Sequence, residues 1–447
     1  MVELSQASNQ SFQQQLEMII IRGVPAPRSM SVYYQTARQK NIPVDKIDRM
    51  FYNCDARGRL GDKYRMTMDA VSRLKDLSTH MVLEPAEDAE CPKLSPRQQK
   101  ALNISDALMP NGKRITLLKT LLTSACERNC YYCPFRAGRD FRRATLQPDE
   151  MAGAFMSLYR AGIVQGLFLS SGVAGGSRRT QDQLLATAEI LRRKHQFTGY
   201  VHLKLMPGAE YAQIERAMQL SDRVSLNLEA PNTERLKRLA PGKVFLEELI
   251  QPLRWVDQIR RTQSPDEGWK GRWPSMTTQF VVGAVGENDL ELLSTTESLH
   301  RQLRLGRAYF SAFNPIIDTP FEELPAESPR RELHLYQASF LLRDYGFSVE
   351  ELPFDINGNL PTNLEPKAAW AEQNLIELPI EVNKANRKEL LRIPGIGPKS
   401  ADAILRARRF GKLNSLDDLR RIGVNPVKAK PYILLDGKRP IRQLAFW

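Results

Sequence analysis

Cys126-Glu127-Arg128-Asn129-Cys130-Tyr131-Tyr132-Cys133 places three of the chain's five cysteines on eight consecutive residues. The stretch follows directly on residues 114–125, which are rich in Ile, Leu and Thr and read as a β-strand. Thiolates so closely spaced on one loop can converge on a single soft-metal centre. A closed zinc site needs a fourth ligand, and no further Cys-x-x-Cys or His-x-His supplies it. A disulfide leaves one thiol over. A four-iron cluster held by three cysteines leaves one iron open to a ligand that is not protein. Five cysteines in 447 residues exclude a disulfide framework and suit a reducing, cytoplasmic setting.

Downstream of the loop, strand patterns at 166–171, 200–205, 223–229, 277–283 and 307–313 join the first, with helical patterns between them at 149–161, 180–194, 209–220, 246–261 and 287–302. Strands alternating with helices imply βα units around a parallel sheet or barrel. Six units make an incomplete barrel, short of the closed eight-stranded one. The expected fold class is α/β, a partial (β/α)6 TIM-like barrel. A further helix is expected at 330–345 and a turn-rich link at 353–366, around Asn357-Gly358. Upstream, 66–77 has helical amphipathicity and 82–96 reads as an acidic loop. No apolar run reaches 18 residues, so no transmembrane helix and no membrane partner are expected. The polar, Gln-rich residues 1–16 lack the pattern of a secretory signal.

Cys126, Cys130, Tyr132 and Cys133, placed after the first strand, match Cys-x-x-x-Cys-x-aromatic-Cys. This resembles the signature of the radical S-adenosylmethionine (radical SAM) superfamily. The resemblance implies a 4Fe–4S cluster on Cys126, Cys130 and Cys133 whose open iron chelates the amino and carboxylate groups of S-adenosylmethionine. One electron, from a donor such as flavodoxin or ferredoxin, would cleave the sulfonium to a 5′-deoxyadenosyl radical that abstracts hydrogen from substrate. It also implies that Tyr132 and the backbone near Phe135 lie against the adenine. Ser170-Ser171-Gly172 occupies the place where relatives bind the amino group, often through Gly-Gly-Glu. The acidic residue is missing there, and Asp182 is the candidate substitute. Asn227 and Glu229 close the fourth strand, where relatives contact ribose and carboxylate. Gly283-Ala284-Val285-Gly286-Glu287 resembles the fifth-strand glycine motif that lets backbone approach adenine. No residue is named as catalytic.

Side chains alternate faces along a strand, so Ser225, Asn227 and Glu229 share one face opposite Val224, Leu226 and Leu228. His202 and Lys204 share a face against Val201, Leu203 and Leu205. With the apolar sets turned to flanking helices, the polar sets line a lumen able to hold a zwitterionic cofactor and a substrate. Solvated strand ends would account for the same residues individually.

The net charge of +13 is unevenly spread: residues 380–447 carry sixteen Lys and Arg against six Asp and Glu, a net of +10, leaving +3 for the rest. Such a tail suits a polyanion, although a merely solvated surface has the same composition. Within it, Leu390-Leu391-Arg392-Ile393-Pro394-Gly395-Ile396-Gly397-Pro398-Lys399-Ser400-Ala401 lies between helical patterns at 388–392 and 399–409. A Gly-hydrophobic-Gly turn entering a helix offers backbone N–H groups to a phosphate oxygen, with Lys399, Arg406 and Arg409 following on the same helix. The segment resembles a helix-hairpin-helix, which grips the DNA backbone without reading bases. A protein–protein helical module uses the same turn. A second, degenerate hairpin lies at 419–424, without the second glycine.

Cluster loop, six βα units and basic tail together resemble radical SAM proteins of DNA modification or repair, from about Ile104 to the C-terminus. The organisation expected is an N-terminal extension at 1–105, mostly helical or irregular, and a partial barrel at 106–320. A helix and linker follow at 321–378, then a small all-α helix-hairpin-helix domain at 379–447. If a nucleobase is extruded to reach the barrel, Tyr309 and Phe313 are the aromatics expected at its mouth, and His202 and Lys204 are candidate residues of the substrate lumen. Two rivals stand beside a radical enzyme on DNA. One is the same chemistry on RNA or a small molecule, with the tail as a tether. The other is a non-catalytic iron–sulfur DNA-binding protein. Cys54 and Cys91 carry no assigned role.

Overall fold

The computed structural model describes residues 68–79, 81, 102, 104–108 and 114–440. Cys54, Cys91 and the acidic loop expected at 82–96 lie outside them. Contacts group the described chain into two compact units: residues up to 128, 135–226 and 258–275 in the first, and 129–134, 227–257 and 276–440 in the second.

In the first unit, helix α1 (Met68–Thr79) and strand β1 (Ile104–Leu108) precede β2 (Arg114–Leu121), and β1 pairs antiparallel with β2. Helix α2 (Pro148–Arg160) leads to β3 (Gly166–Ser170). Helix α3 (Ser177–Glu189), continued by a π-helical turn Ile190–Lys194, leads to β4 (Tyr200–Lys204), and α4 (Tyr211–Leu220) to β5 (Arg223–Ser225). Strands β2 to β5 pair in parallel, in chain order. The start of α2 shows why these helices form where the pattern predicts. Proline stands at its first position, Asp149 and Glu150 occupy the first turn, and Glu150 reaches back to the Gln147 amide at 2.8 Å.

The strand register decides which residues share a face. Lys119 is opposite Phe168, Phe168 opposite His202, His202 opposite Arg223, and Lys204 opposite Ser225. Neighbours in register point the same way. One face therefore carries Lys119, Phe168, Ser170, His202, Lys204, Arg223 and Ser225, and the other Leu118, Leu167, Leu169, Val201, Leu203 and Val224. The alternation expected for His202, Lys204 and Ser225 is present, and these polar residues are buried rather than solvated. Lys119 and Arg223 join them, also buried. Their membership depends on the register alone.

In the second unit, helix α5 (Thr233–Leu239) comes first, and α6 (Gln251–Thr262) begins there. Strand β6 (Ser275–Val282), helix α7 (Asp289–Leu303) and strand β7 (Arg307–Ala312) follow, with β6 and β7 parallel from Thr277 opposite Arg307. Four parallel strands in one unit and two in the other make the six βα units of the partial-barrel class. The antiparallel β1 is an addition that its short polar sequence, Ile-Ser-Asp-Ala-Leu, does not announce. The strand expected at 223–229 ends at Ser225. The chain then rejoins strand geometry only at Glu229, which bridges Phe280 with a left-handed φ of 66°. A pleat cannot run through such a residue.

Helix α8 (Pro329–Asp344) and helix α9 (Pro366–Leu375) lead to the tail, where β8 (Ile380–Glu381) pairs with β9 (Ile433–Leu434) around α10 (Arg387–Arg392), α11 (Pro398–Ala407) and α12 (Leu416–Arg421). The tail has its own core of Val382, Leu390, Leu391, Ile396, Ala401, Ile404, Leu419, Val424 and Ile433, and Ala371 and Leu375 of α9 belong to it. Sequence reading ends its turn-rich link at the proline that opens α9, because proline at a helix's first position looks like punctuation.

Candidate active site and nucleic-acid interface

Cys130 is buried and Cys133 half-buried, in the second unit, where the Cys133 amide donates to the Cys130 carbonyl at 3.3 Å. The turn after α5 holds this part of the loop. The Tyr131 amide donates to Leu239 O at 2.9 Å, and the Gly242 amide to Asn129 Oδ1 at 3.1 Å. A side chain at position 242 would put its Cβ 2.7 Å from that oxygen, so Asn129 would have to shift and the contact would be disturbed. One residue on, Lys243 Nζ pairs with Glu229 Oε1 at 2.9 Å, both side chains at most 9% exposed. The Tyr132 hydroxyl donates to the same carboxylate. Burial, together with the charges of Glu229, Cys130 and Cys133, holds the Tyr132 hydroxyl far above its ordinary range. For Lys243, burial works against the charged form, but Cys130, Glu229 and Cys133 outweigh it and the ammonium is held above its usual value. A cation thus stands beside two of the three cysteines. Sequence reading stops short of it, because nothing in the spacing of the cysteine loop points to a lysine 110 residues downstream of Cys133.

In the first unit Cys126 is half-buried on a cleft of about 510 Å³ whose wall includes Glu127, Arg139, Arg143 and Gly175. Gly172 is needed beneath it, since a Cβ there would run into the Ala125 carbonyl and stand 3.2 Å from Cys126 Cβ. Ser170 is buried at the end of β3, and the Ser171 hydroxyl donates to Gly172 O at 2.8 Å. Arg143 staples the segment after the cysteines. Its guanidinium donates to Ser124 O (2.8 Å), Phe135 O (3.0 Å), Arg136 O (2.8 Å) and Arg139 O (3.3 Å), and lies 4.3 Å from the Phe141 ring centroid. Phe135 packs on Phe141 at 6.1 Å. Asp182 accepts from Gln213 Nε2 at 2.6 Å, joining α3 to α4.

The remaining candidates fall in separate places. His202 Nε2 is 2.8 Å from Ser225 Oγ, and Lys204 lies 6.0 Å from the Phe168 ring centroid. Asn227 Nδ2 donates to Gln279 at 3.4 Å. Gly283 and Gly286 have φ of 94° and 75°, and the Gly283 amide is taken by Glu287. Tyr309 is buried against Arg307 and Tyr336. Phe313 meets Phe321 edge-on at 6.1 Å, and Phe321 meets Tyr131 of the cysteine loop at 5.5 Å.

Among the described residues no three His, Cys, Asp or Glu side chains are gathered as ligands of one metal ion. Three reduced cysteines on one loop, with Lys243 beside two of them, suit an anionic cluster that takes three protein thiolates, whereas a closed zinc site needs a fourth ligand. Residues 120–298 match the sequence family described as the radical SAM superfamily, and residues 377–428 the helix-hairpin-helix motif. The chain carries a radical SAM domain. Members of that superfamily are enzymes that use a 4Fe–4S cluster and S-adenosylmethionine. The chain is 21% identical over 249 residues to "Probable GTP 3′,8-cyclase" of Thermococcus kodakarensis, covering 54% of this chain and 76% of that protein. Among solved structures it is similar to methylornithine synthase (15% identity, TM-score 0.41, 51% of this chain and 61% of that one). It is also similar to a radical SAM methyltransferase from Sphaerobacter thermophilus (17%, TM-score 0.39, 54% and 70%). Among the described residues no helix is long and apolar enough to cross a membrane.

The helix-hairpin-helix is formed by α10 and α11. Gly395 has φ of 80°, a conformation that favours glycine, and a Cβ there would stand a tight 3.1 Å from Lys428 Cβ. Gly397 caps α11 with no side-chain acceptor and Pro398 has no N–H, so the Lys399 and Ser400 amides are the ones that face an external acceptor. Lys399 is exposed beside them and Arg406 is exposed in the last turn, whereas Arg409, expected on the same helix, is exposed in the turn that follows its end at Ala407. Lys399 and Arg406 are about 10 Å apart along the helix axis. The second hairpin follows α12: Gly423 repeats the left-handed φ at 79° and Val424 is buried like Ile396, while Asn425 stands where the first turn has Gly397.

Beneath the first turn, Lys367 Nζ donates to Ile396 O at 2.7 Å and lies 4.6 Å from the Tyr345 ring centroid. Burial, and then the nearby Arg392 charge, pull its pKa down to about 7. Between that value and the ordinary lysine value the unfolded chain holds one more proton than the folded one, so stability should rise with pH across this window. Lys367→Met should lack the rise. Denaturation midpoints at pH 6.5 and pH 9 would check it, and equal slopes in both proteins would contradict it.

Proposed function

We propose that this radical SAM protein acts on nucleic acid, with DNA as the substrate and base modification or repair as the reaction class. The observation that carries the reading is the presence, in one compact unit, of two cluster cysteines with their Lys243–Glu229 pair and of a helix-hairpin-helix on a basic tail. Cys126, Cys130 and Cys133 would hold the cluster. When bound and reduced by a donor such as flavodoxin or ferredoxin, the cluster supplies the electron that cleaves S-adenosylmethionine. Tyr132, Glu229 and Lys243 fix the loop. Gly397, Lys399, Arg406 and Arg409 hold phosphate.

The test is 5′-deoxyadenosine formation by anaerobically reconstituted, reduced protein, with duplex DNA, with RNA and with neither. Formation that rises with DNA supports the reading, and formation indifferent to both polymers counts against it. Binding should weaken steeply with salt, and Lys399→Ala should lower the slope of log K against log salt by about one. A salt-independent affinity would contradict the phosphate grip. A nucleoside triphosphate is a second reading, favoured by the resemblance to the cyclase and by Lys119, Lys204 and Arg223 on one buried face. GTP in the same assay is its test.

A further inference from the structure

A DNA-binding tail can be a tether, which localises an enzyme, or a grip, which presents a substrate. The two differ physically in the joint. A tether has a solvated linker and separate cores, whereas a grip shares packed and buried contacts with the catalytic body. Here every link of the joint lies within the second unit. Helix α8 packs on β7 and α7, and α9 packs on α8. Helix α9 in turn gives Ala371 and Leu375 to the tail's own core.

Polar contacts pin the same joint. Lys367 of α9 bonds the Ile396 carbonyl, in the middle of the Gly395-Ile396-Gly397 turn. The Tyr345 hydroxyl lies 3.2 Å from where a Cβ on Gly397 would stand. Arg392, which ends α10, is 6% exposed; it pairs with Glu351 at 2.7 Å, donates to Gly346 O at 3.0 Å and lies 3.6 Å from the Phe347 ring centroid. From the second hairpin, Lys428 pairs with Glu365 at 2.9 Å, just ahead of α9. That last pair is exposed and adds little. Lys367 and Arg392 are different: a buried guanidinium and a half-buried lysine amine are costly at a joint unless each is held by defined partners, and those partners define one arrangement.

We infer that α9, Lys367 and Arg392 form a rigid mount that holds the phosphate-gripping turn at one place relative to β7, so that the polynucleotide it grips is held as substrate at a fixed offset from that strand rather than used as an anchorage. This rests on the proposed function and decides between its two forms. A fixed grip converts encounter with the target nucleotide into an intramolecular event at one offset, and small misplacements then cost rate rather than affinity.

Lys367→Met and Arg392→Met test the mount in the full-length, reconstituted protein. Both should bind duplex DNA with the affinity and salt slope of the wild type, and form 5′-deoxyadenosine without DNA at the wild-type rate. Each should lose about tenfold or more of the DNA-stimulated rate. Lys367→Arg, which keeps a donor to Ile396, should recover part of it. Variants stimulated by DNA as strongly as the wild type would overturn the mount and leave the nucleic-acid reading intact. A wild type that neither binds nor responds to DNA or RNA would overturn the reading itself. Should the variants fold poorly, hydrogen exchange on the wild type suffices. Amides of α9, α10 and α11 opening together with those of α8 support the mount, and a tail that opens as a separate, less stable unit overturns it.

Discussion

Cys130→Ser protein, reconstituted anaerobically, is expected to hold iron poorly and to form no 5′-deoxyadenosine above background. Cys130 is the buried member of the three, and its amide-linked neighbour Cys133 and the Lys243 ammonium are arranged around it. Serine offers a far weaker ligand for iron, so the loss should exceed the roughly ten- to hundredfold that follows removal of a supporting partner at a metal site. Iron content, the ultraviolet–visible absorption of the reconstituted protein and product formation are the measurements. Cys54→Ser and Cys91→Ser are the controls and should keep all three. Full product formation by Cys130→Ser would remove the cluster assignment.

The second large effect is expected at Glu229 and Lys243. Their 2.9 Å pair is almost wholly buried, and the Tyr132 hydroxyl also depends on the carboxylate. Lys243→Met leaves a buried carboxylate unmatched, and Glu229→Gln leaves a buried ammonium facing a neutral amide. Each should cost about 3–5 kcal/mol. The double variant should cost less than the two single losses added together, because no uncompensated charge remains. Chemical denaturation of the four proteins measures this. The functional consequence separates the pair from ordinary core packing. Tyr132 lies between Cys130 and Cys133, so the single variants should also retain less iron after reconstitution. Strict additivity, with iron retained, would reduce the pair to a distant ornament of the fold.

Glu229 also shows what a sequence hides. Its φ of 66° is unusual for a residue with a side chain and costs about 1–3 kcal/mol, which the surrounding contacts must offset. Alternation along 223–229 predicts that Ser225, Asn227 and Glu229 share a face. The left-handed residue ends that logic, and Glu229 meets Lys243 and Tyr132 instead. Nothing in a glutamate announces such a conformation, whereas Gly395 and Gly423 do announce theirs.

Local chemistry was legible throughout. The Cys-x-x-x-Cys-x-x-Cys spacing, the alternation of strand and helix periods and the Gly-Ile-Gly turn each fit within a dozen residues, so short-range sterics and ligand geometry suffice to read them. The six βα units followed from the alternation, and the helix-hairpin-helix from the resemblance that the Gly-Ile-Gly turn carries. Contacts between residues far apart in the chain were decided by the tertiary structure. Register added Lys119 and Arg223 to the polar face that His202, Lys204 and Ser225 had suggested. The turn after α5 brought Lys243 to Glu229, and α9 joined the tail to the last strands through Lys367 and Arg392. A period or a spacing specifies which side of an element is apolar. Which buried charge meets which partner depends on how those elements pack, and only the folded chain contains that information.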